Sequence, residues 1–522
     1  MVLDILASAY QRTILFLMYI LLLSLFIALG FVKWRKAAVL FAGVQRKTWL
    51  WLLAVFLAGA VLRFSVFPTY HMMYVDESLY MGMASNLNHR LEPVLCVLGD
   101  NGRDEMCWLQ YQKPPGWPFL ISLGFLAFGE DEQVGFFLSA LFGSLSILLI
   151  FFLCFLLFRR ERAGLWAAAL LAFFPLHIIW SHSAETNIPS VFFILFTLTA
   201  LFFYQRVKDA AFLFLTSILF LLSVSMRYEN VLLAFLFLIA FCPDWTASVS
   251  PGRRTWLLAL ITAILLALTA MLTMISSNFF RHIPLRFTLD FYLLNIFSYT
   301  KLVSMHFALL LLAVLLLFSR VRSRNTYGAT YIVVSSFLIL SVMSIPLLKE
   351  SRTVLLPGIF LLMLAATSVS RLSELLSYRA PATLALNWLI PVVLLIILYV
   401  SYTPLTDTEN PSYLETISSK QVRDAISGDC MVVAEQPVVL QPTSLQLLPT
   451  RFALLHPDIL DAAIEEGKCL YYFYDRFCFG DGIGRSPNQC RHFLTKYATI
   501  ADMKFPAQDK EYVLYRVTGI AS

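Results

Sequence analysis

The sequence predicts an all-α polytopic membrane protein followed by a small extracytoplasmic α/β domain, and three observations carry that prediction. Of 522 residues, 59% are hydrophobic and only 14% are charged. Apolar runs long enough to cross hydrocarbon, which takes roughly 20 helical residues, recur through the first four-fifths of the chain. From Pro411 onward amphipathic stretches ("YLETISSKQVRDAIS", "DILDAAIEEG") alternate with short β-rich runs ("CMVVAE", "CLYYFY", "EYVLYRV"), the pattern of a sheet with helices packed on it. The expected division is therefore residues 1–402, a transmembrane domain, and residues 403–522, the α/β domain. No fixed-period repeat and no low-complexity segment interrupts it.

Taken in order, candidate spans fall at about 13–32, 49–67, 133–158, 164–181, 188–204 and 211–226. The series continues at about 230–242, 255–275, 303–318, 327–346, 353–370 and 385–402, for about twelve in all. The runs at 211–226 and 230–242 are short enough to form a broken or re-entrant pair. The first run lacks a charged n-region and a small-residue cleavage site close behind it, so it reads as a retained helix.

Basic residues orient the chain, because cytoplasmic loops are rich in Lys and Arg. With alternating spans, Lys33 to Lys47, Arg159 to Arg162, Arg206 with Lys208, Arg253 with Arg254, Arg320 to Arg324, and Arg371 with Arg379 all fall on one side. The large loop at 68–132, the "SHSAETN" and "RYEN" turns, "LLKESR" and the tail then face outward. The net charge of +6 is scattered among these loops and forms no single basic face, which argues against nucleic acid as a partner. A multi-pass protein of the plasma membrane is expected.

Cysteines test the topology. Cys96, Cys107, Cys430, Cys469, Cys478 and Cys490 all fall in outward segments, and an even set in an oxidising compartment reads as disulfides; six free thiols in a reducing cell is the other reading. The first loop offers Cys96 with Cys107. The four tail cysteines allow three pairings, of which 430 with 469 and 478 with 490 is the choice made here. "CFGDGIGRSPNQC" lacks the strand, spacing and lysine of a phosphate loop and reads as a disulfide-closed turn.

The stretch "TYHMMYVDESLYMGMASNL" places Asp76 and Glu77 side by side at an outward helix start. The plainer reading is that acids there cap free amides and suit the helix dipole. Other outward charges weigh against it. Lys113 in "YQKPPGWPFLISLG" precedes an apolar stretch expected along the membrane surface; Arg227, Tyr228 and Glu229 occupy "SMRYENVLL"; Lys349, Glu350 and Arg352 occupy "LLKESRTVLLP". Each cation alone reads equally as a side chain snorkelling to the interface. Together they describe a cavity with acids for proton transfer and cations suited to a lipid phosphate.

At this point the sequence resembles a family. "VDESLYMGMA", "QKPPGW", "RYEN" and "ESRTVLLPGIFLLMLA", in that order and on one side, are similar to the GT-C glycosyltransferases, in the branch of protein O-mannosyltransferases and aminoarabinose transferases. The resemblance covers roughly residues 49–402 and implies a GT-C fold of about 12 transmembrane helices. It also implies inverting transfer of a sugar from a polyprenyl- or dolichyl-phosphate carrier to a protein, lipid or glycan acceptor on the outer face. Asp76 matches the family's catalytic acid, a general base on the acceptor hydroxyl, with Glu77 supporting it or shaping the acceptor pocket. Lys113 matches the family lysine near the carrier phosphate. Arg227 and Arg352 are candidates for the phosphate leaving group, since guanidinium binds two phosphate oxygens and does not deprotonate; Lys349 joins them. Tyr80, Tyr228, Glu229, Glu185 and His182 are expected to line the substrate pocket.

The chain also departs from the pattern. Gln112 stands where the aminoarabinose branch has an acid, so the metal ligand of that branch is not carried over, and no metal site is assigned. His182 and Glu185, three apart in "SHSAETN", would share a face if helical, but two side chains fall short of a metal site. A transporter or flippase of lipid-linked sugars is the main competing reading. Such proteins set charges near the bilayer midplane and carry paired halves, whereas the charges here lie at one face. A third reading is a non-catalytic partner that presents its tail outward.

Overall fold

The computed structural model describes residues 41–65, 74–91, 94–98, 105–109, 114–233, 355–376, 411–426, 430–441, 445–479, 487–506 and 511–521, with a few isolated positions besides. The predicted spans at 13–32, 255–275, 303–318, 327–346 and 385–402, and nearly all of 230–242, lie outside the described residues, so the count of twelve is not established by the structure.

The helices of the bundle follow the apolar runs. They are α1 (Arg46–Phe64), α2 (Tyr74–Arg90), α3 (Gly116–Phe128), α4 (Glu132–Phe158), α5 (Glu161–Ala172), α6 (Pro175–Ser181), α7 (Asn187–Val207), α8 (Ala210–Met226) and α9 (Leu355–Leu376). Among the described residues α1, α4 and α7 are long and apolar enough to cross a membrane, and α5 with α6 passes the same test only as a pair, bent by 57° at their break. The protein is an integral membrane protein. Helix starts are set by acids: the Asp131 carboxylate accepts from Gln133 N–H at 2.8 Å and the Asp209 carboxylate from Ala211 N–H at 3.0 Å. Inside the bundle, hydroxyls turn back onto their own helix, as in Ser144 to the Ala140 carbonyl at 2.8 Å and Thr197 to the Phe193 carbonyl at 2.6 Å. Where water is absent, that bond spares the hydroxyl an unpaired state.

The bend in α5–α6 has a chemical partner. Pro175 cannot continue the hydrogen-bond ladder, and the break exposes the last carbonyls of α5. Arg63, in the last turn of α1 and 1% exposed, supplies the missing donors. Its Nη1 donates to the Ala172 carbonyl at 3.1 Å and to the Gly59 carbonyl at 2.8 Å; its Nη2 donates to the Leu171 carbonyl at 3.0 Å and lies 2.9 Å from His177 Nδ1. A cation in the bundle interior is thus held by carbonyl dipoles at a helix end.

The outward loop forms a hairpin of β1 (Val94–Leu98) and β2 (Glu105–Leu109), whose antiparallel register sets Cys96 opposite Cys107. The tail forms α10 (Pro411–Ala425), β3 (Met431–Ala434), β4 (Gln446–Pro449), α11 (Thr450–Leu455), α12 (Pro457–Glu465), β5 (Leu470–Tyr474), α13 (Pro487–Lys496), β6 (Tyr497–Pro506) and β7 (Glu511–Ile520). These strands make a five-stranded mixed sheet in the order β4-β3-β5-β7-β6, with β3 parallel to β4 and β5 and the remaining pairs antiparallel. Alternation of side chains gives the sheet two buried faces. Val432, Ala434 and Leu514 pack with Val422 and Ile426 of the α10 segment; Val433, Leu448 and Tyr472 pack under α12 and α13. Disulfides Cys430–Cys469 and Cys478–Cys490 form as paired above, with Cα atoms 4.8 and 5.5 Å apart.

The sheet is docked on the bundle. The 3-10 turn Pro437–Leu440 and α10 both pack against α2, and β1 packs against β4. Arg423 of α10 forms an ion pair with Glu132 at the start of α4.

Candidate active site

α2 begins at Tyr74 and puts Asp76 and Glu77 in its first turn, where free amides and the helix dipole favour negative charge. Neighbours on a helix point roughly 100° apart, and the two acids have different surroundings. Glu77 is fully enclosed: one carboxylate oxygen accepts from the Ser183 hydroxyl and the other from Ala184 N–H, both at 2.8 Å. Asp76 is only half-buried.

The turn that Glu77 grips, Ser183–Ala184, is held from two further sides. Trp117 of α3 donates from its indole N–H to the Ala184 carbonyl at 2.7 Å. Gly135 of α4 lets Met81 and Ala184 approach so closely that an added Cβ would overlap the Met81 side chain. Three helices therefore fix one peptide unit, and the next residue is Glu185. Its carboxylate accepts from the Thr186 hydroxyl at 2.7 Å and is buried.

Tyr80, one turn after Asp76, links this turn to the acids. Burial pushes its phenol well above the usual range, and the carboxylates of Glu185 and Asp76 push it further; Arg227 and a hydrogen bond with Thr186 act in the opposite sense. Asp76, Tyr80, Glu185, Thr186 and Arg227 thus share one neighbourhood. Arg227, at the end of α8, donates to Asn187 Oδ1 at the start of α7. Asn230 braces the same junction by donating to Ser190 Oγ and the Ser223 carbonyl, both at 2.8 Å. Tyr228 is buried beside it. The first turn of α3 abuts this junction too: an added Cβ at Gly116 would overlap the Ser225 side chain and backbone, so only glycine lets "PPGW" come so near.

His182 and Glu185 do not share a helical face, because the segment between α6 and α7 is a turn and not a helix. His182 Nε2 lies 3.1 Å from the Leu62 carbonyl, and burial lowers its pKa to about 4. Among the described residues no group of three His, Cys, Asp or Glu is placed to hold a metal. Lys113, Lys349 and Arg352, and the side chain of Glu229, lie outside the described residues. Sequence reasoning passed over Trp117, Thr186, Asn187, Asn230 and Arg63. The first four sit inside stretches quoted for their charges, and Arg63 carried its own signal, a lone cation in an apolar run.

Comparison with known proteins bears on the fold. Residues 112–280 match the family described as dolichyl-phosphate-mannose-protein mannosyltransferase. The fold is similar to ArnT from Cupriavidus metallidurans in its apo state, at 15% identity and a TM-score of 0.58 over 90% of this chain and 98% of that one. It is similar to the same protein bound to undecaprenyl phosphate, at 14% identity and a TM-score of 0.56 over 92% and 100%. The archaeal oligosaccharyltransferase AglB from Archaeoglobus fulgidus, in complex with an inhibitory peptide and a dolichol-phosphate, aligns at 12% identity and a TM-score of 0.50, over 90% of this chain and 74% of that one. No curated protein matches by sequence. At such identities the structural likeness speaks for the fold.

Proposed function

From the premise that this chain has the GT-C glycosyltransferase fold, we propose that it is a membrane glycosyltransferase that uses a lipid-phosphate-linked sugar. In this reading the donor is a polyprenyl- or dolichyl-phosphate sugar, and the acceptor is a hydroxyl of a protein, lipid or glycan on the extracytoplasmic face. The observation that carries it is that a half-buried acid, Asp76, and the guanidinium of Arg227 both act on the phenol of Tyr80. A base for the acceptor and a cation for the leaving group within one neighbourhood are what a single displacement at a sugar carbon requires.

The proposed step is an in-line exchange. Asp76 takes the proton of the acceptor hydroxyl as its oxygen bonds to the anomeric carbon. The bond from that carbon to the phosphate oxygen breaks, and its electron pair leaves with the carrier phosphate. Arg227, with Lys113, Lys349 and Arg352, offsets the charge that gathers there. The configuration at the anomeric carbon inverts. Glu77, with both oxygens engaged, holds the Ser183–Ala184 turn and through it Glu185. Tyr80, Tyr228 and Glu185 bound the sugar-side pocket, and the disulfides of the tail support an oxidising outer face.

The test is Asp76→Asn, followed in proteoliposomes with radiolabelled polyprenyl-phosphate mannose and a pool of membrane glycans and peptides. A positioned base contributes roughly 10²- to 10⁴-fold, and the loss should fall in that range with donor binding retained. A folded variant that still transfers at the wild-type rate removes Asp76 from this role. Sugar that crosses the bilayer without becoming covalently attached would favour the flippase reading.

A further inference from the structure

We infer that the C-terminal sheet is a working part of the catalytic site, and that the ion pair between Arg423 and Glu132 holds it against α2 so that α2 presents Asp76 in register. The reaction this serves is the one proposed above; the docking itself rests on separate observations.

The first is the pair. Glu132 and Arg423 lie 291 residues apart, and their side chains are only 3% and 11% exposed. Two charges so far removed from water have no place in a loosely tethered domain, because each desolvated ion demands its partner in fixed geometry. The second is the neighbourhood of Glu132. The residues just before it reach α2: Glu130 accepts from Ser85 Oγ at 2.9 Å and lies 3.0 Å from His89 Nε2. Gly135, three residues after it, packs against Met81. The start of α4 thus lies along the second half of α2, and Arg423 closes onto that same strip.

The third observation is that docking is not confined to the pair. The turn Pro437–Leu440 packs on α2, and α10 does the same from its own face. The hairpin strand β1, itself packed on α2, reaches β4 at the edge of the sheet. α2 therefore packs against α3, the start of α4 and the tail. α2 itself is a weak helix for a free surface. Its sequence, "YVDESLYMGMASNLNHR", carries a glycine, two asparagines and two serines, residues of low helix propensity, so its straightness and register depend on what packs around it. Because Asp76 sits in its first turn, loss of the tail reaches the proposed base through the helix. Arg423 and Glu132 are positioning residues in this scheme; neither touches substrate.

The experiment uses the full-length protein in nanodiscs. Four forms are compared: wild type, Glu132→Arg, Arg423→Glu, and the double reversal. Hydrogen–deuterium exchange is read on peptides from Tyr74–Arg90, with transfer from polyprenyl-phosphate mannose measured in parallel. Each single reversal should speed exchange along α2 by roughly a hundredfold and lower kcat without changing KM for the lipid donor. The double reversal should bring both back toward wild type. If a reversal does not fold, Glu132→Gln, which keeps size and loses charge, should still speed α2 exchange by at least roughly tenfold. Wild-type exchange in α2 for any folded variant lacking the pair, or a double reversal that stays as mobile as the singles, would overturn the inference. The exchange arm needs no substrate. If α2 responds but no sugar is transferred by any form, the docking stands and the glycosyltransferase reading fails.

Discussion

The membrane bundle and the C-terminal sheet solve the same problem with different means. In the bundle, hydrocarbon surrounds apolar helices on all sides, so burial of apolar surface does not distinguish one packing from another. Fixed geometry comes instead from polar contacts placed at backbone irregularities: Arg63 on the carbonyls of the broken span, Trp117 and Glu77 on one turn, and Asn230 on the α7–α8 junction. The sheet stands in water, where alternating side chains bury two apolar faces, and two disulfides close it. A single side chain therefore matters more in the bundle, and a covalent link more in the sheet.

That contrast can be broken from either side. Removing Cys430–Cys469 by Cys430→Ala with Cys469→Ala opens a loop of 39 residues. Chain entropy assigns this about 4 kcal/mol, and the tail should unfold in guanidinium well before the bundle. Equal midpoints for both regions would contradict the comparison. Next in size is Arg63→Met, which leaves the Leu171 and Ala172 carbonyls without their donor. We expect a loss on the order of 3 kcal/mol, seen as a lowered Tm in detergent by intrinsic fluorescence.

The pH dependence of the bundle should sharpen the picture. Burial holds the folded pKa of His182 at about 4, below the usual 6.5 of a histidine. The folded state keeps the ring neutral, while the unfolded chain takes up a proton between those values. Stability from this group is therefore complete above pH 6.5 and is lost as pH falls toward 4; from pH 7 to pH 5 the loss is about 2 kcal/mol. His182→Gln should flatten that decline in a pH series of thermal melts. The smallest effect is expected from Trp117→Phe, which keeps the ring in place and deletes one bond to the Ala184 carbonyl. A change of about 1 kcal/mol in stability should come with a modest fall in kcat and no change in KM for the donor.

Much of this was legible in the sequence, and the limits have physical causes. Apolar length found α1, α4 and α7, because crossing hydrocarbon imposes a length that local sequence must meet, and it located the shorter α8. The alternation of amphipathic stretches with short β-rich runs pointed to the tail sheet, and of the three pairings its four cysteines allow, the one chosen is the one the structure forms. The apolar run at 164–181 did not reveal the break at Pro175, which bends the segment into α5 and α6. The apolar stretch after "QKPPGW" became α3, too short to cross a bilayer unaided. What stayed hidden was long-range. That Asp76 and Glu77 point apart follows from helix geometry, but the Ser183–Ala184 turn that holds Glu77 lies more than a hundred residues away in the chain. Lys113, Lys349 and Arg352, expected to complete the cationic side, lie outside the described residues.

The separation of Glu132 from Arg423 also sets an order of manufacture. A ribosome adding roughly 5 to 20 residues per second takes about 15 to 60 seconds to reach the second partner after the first. Throughout that interval the helix with the two acids lacks the tail contacts that cover part of it. Those contacts are therefore the last of the fold to form, once the sheet has been synthesised and closes over the helix.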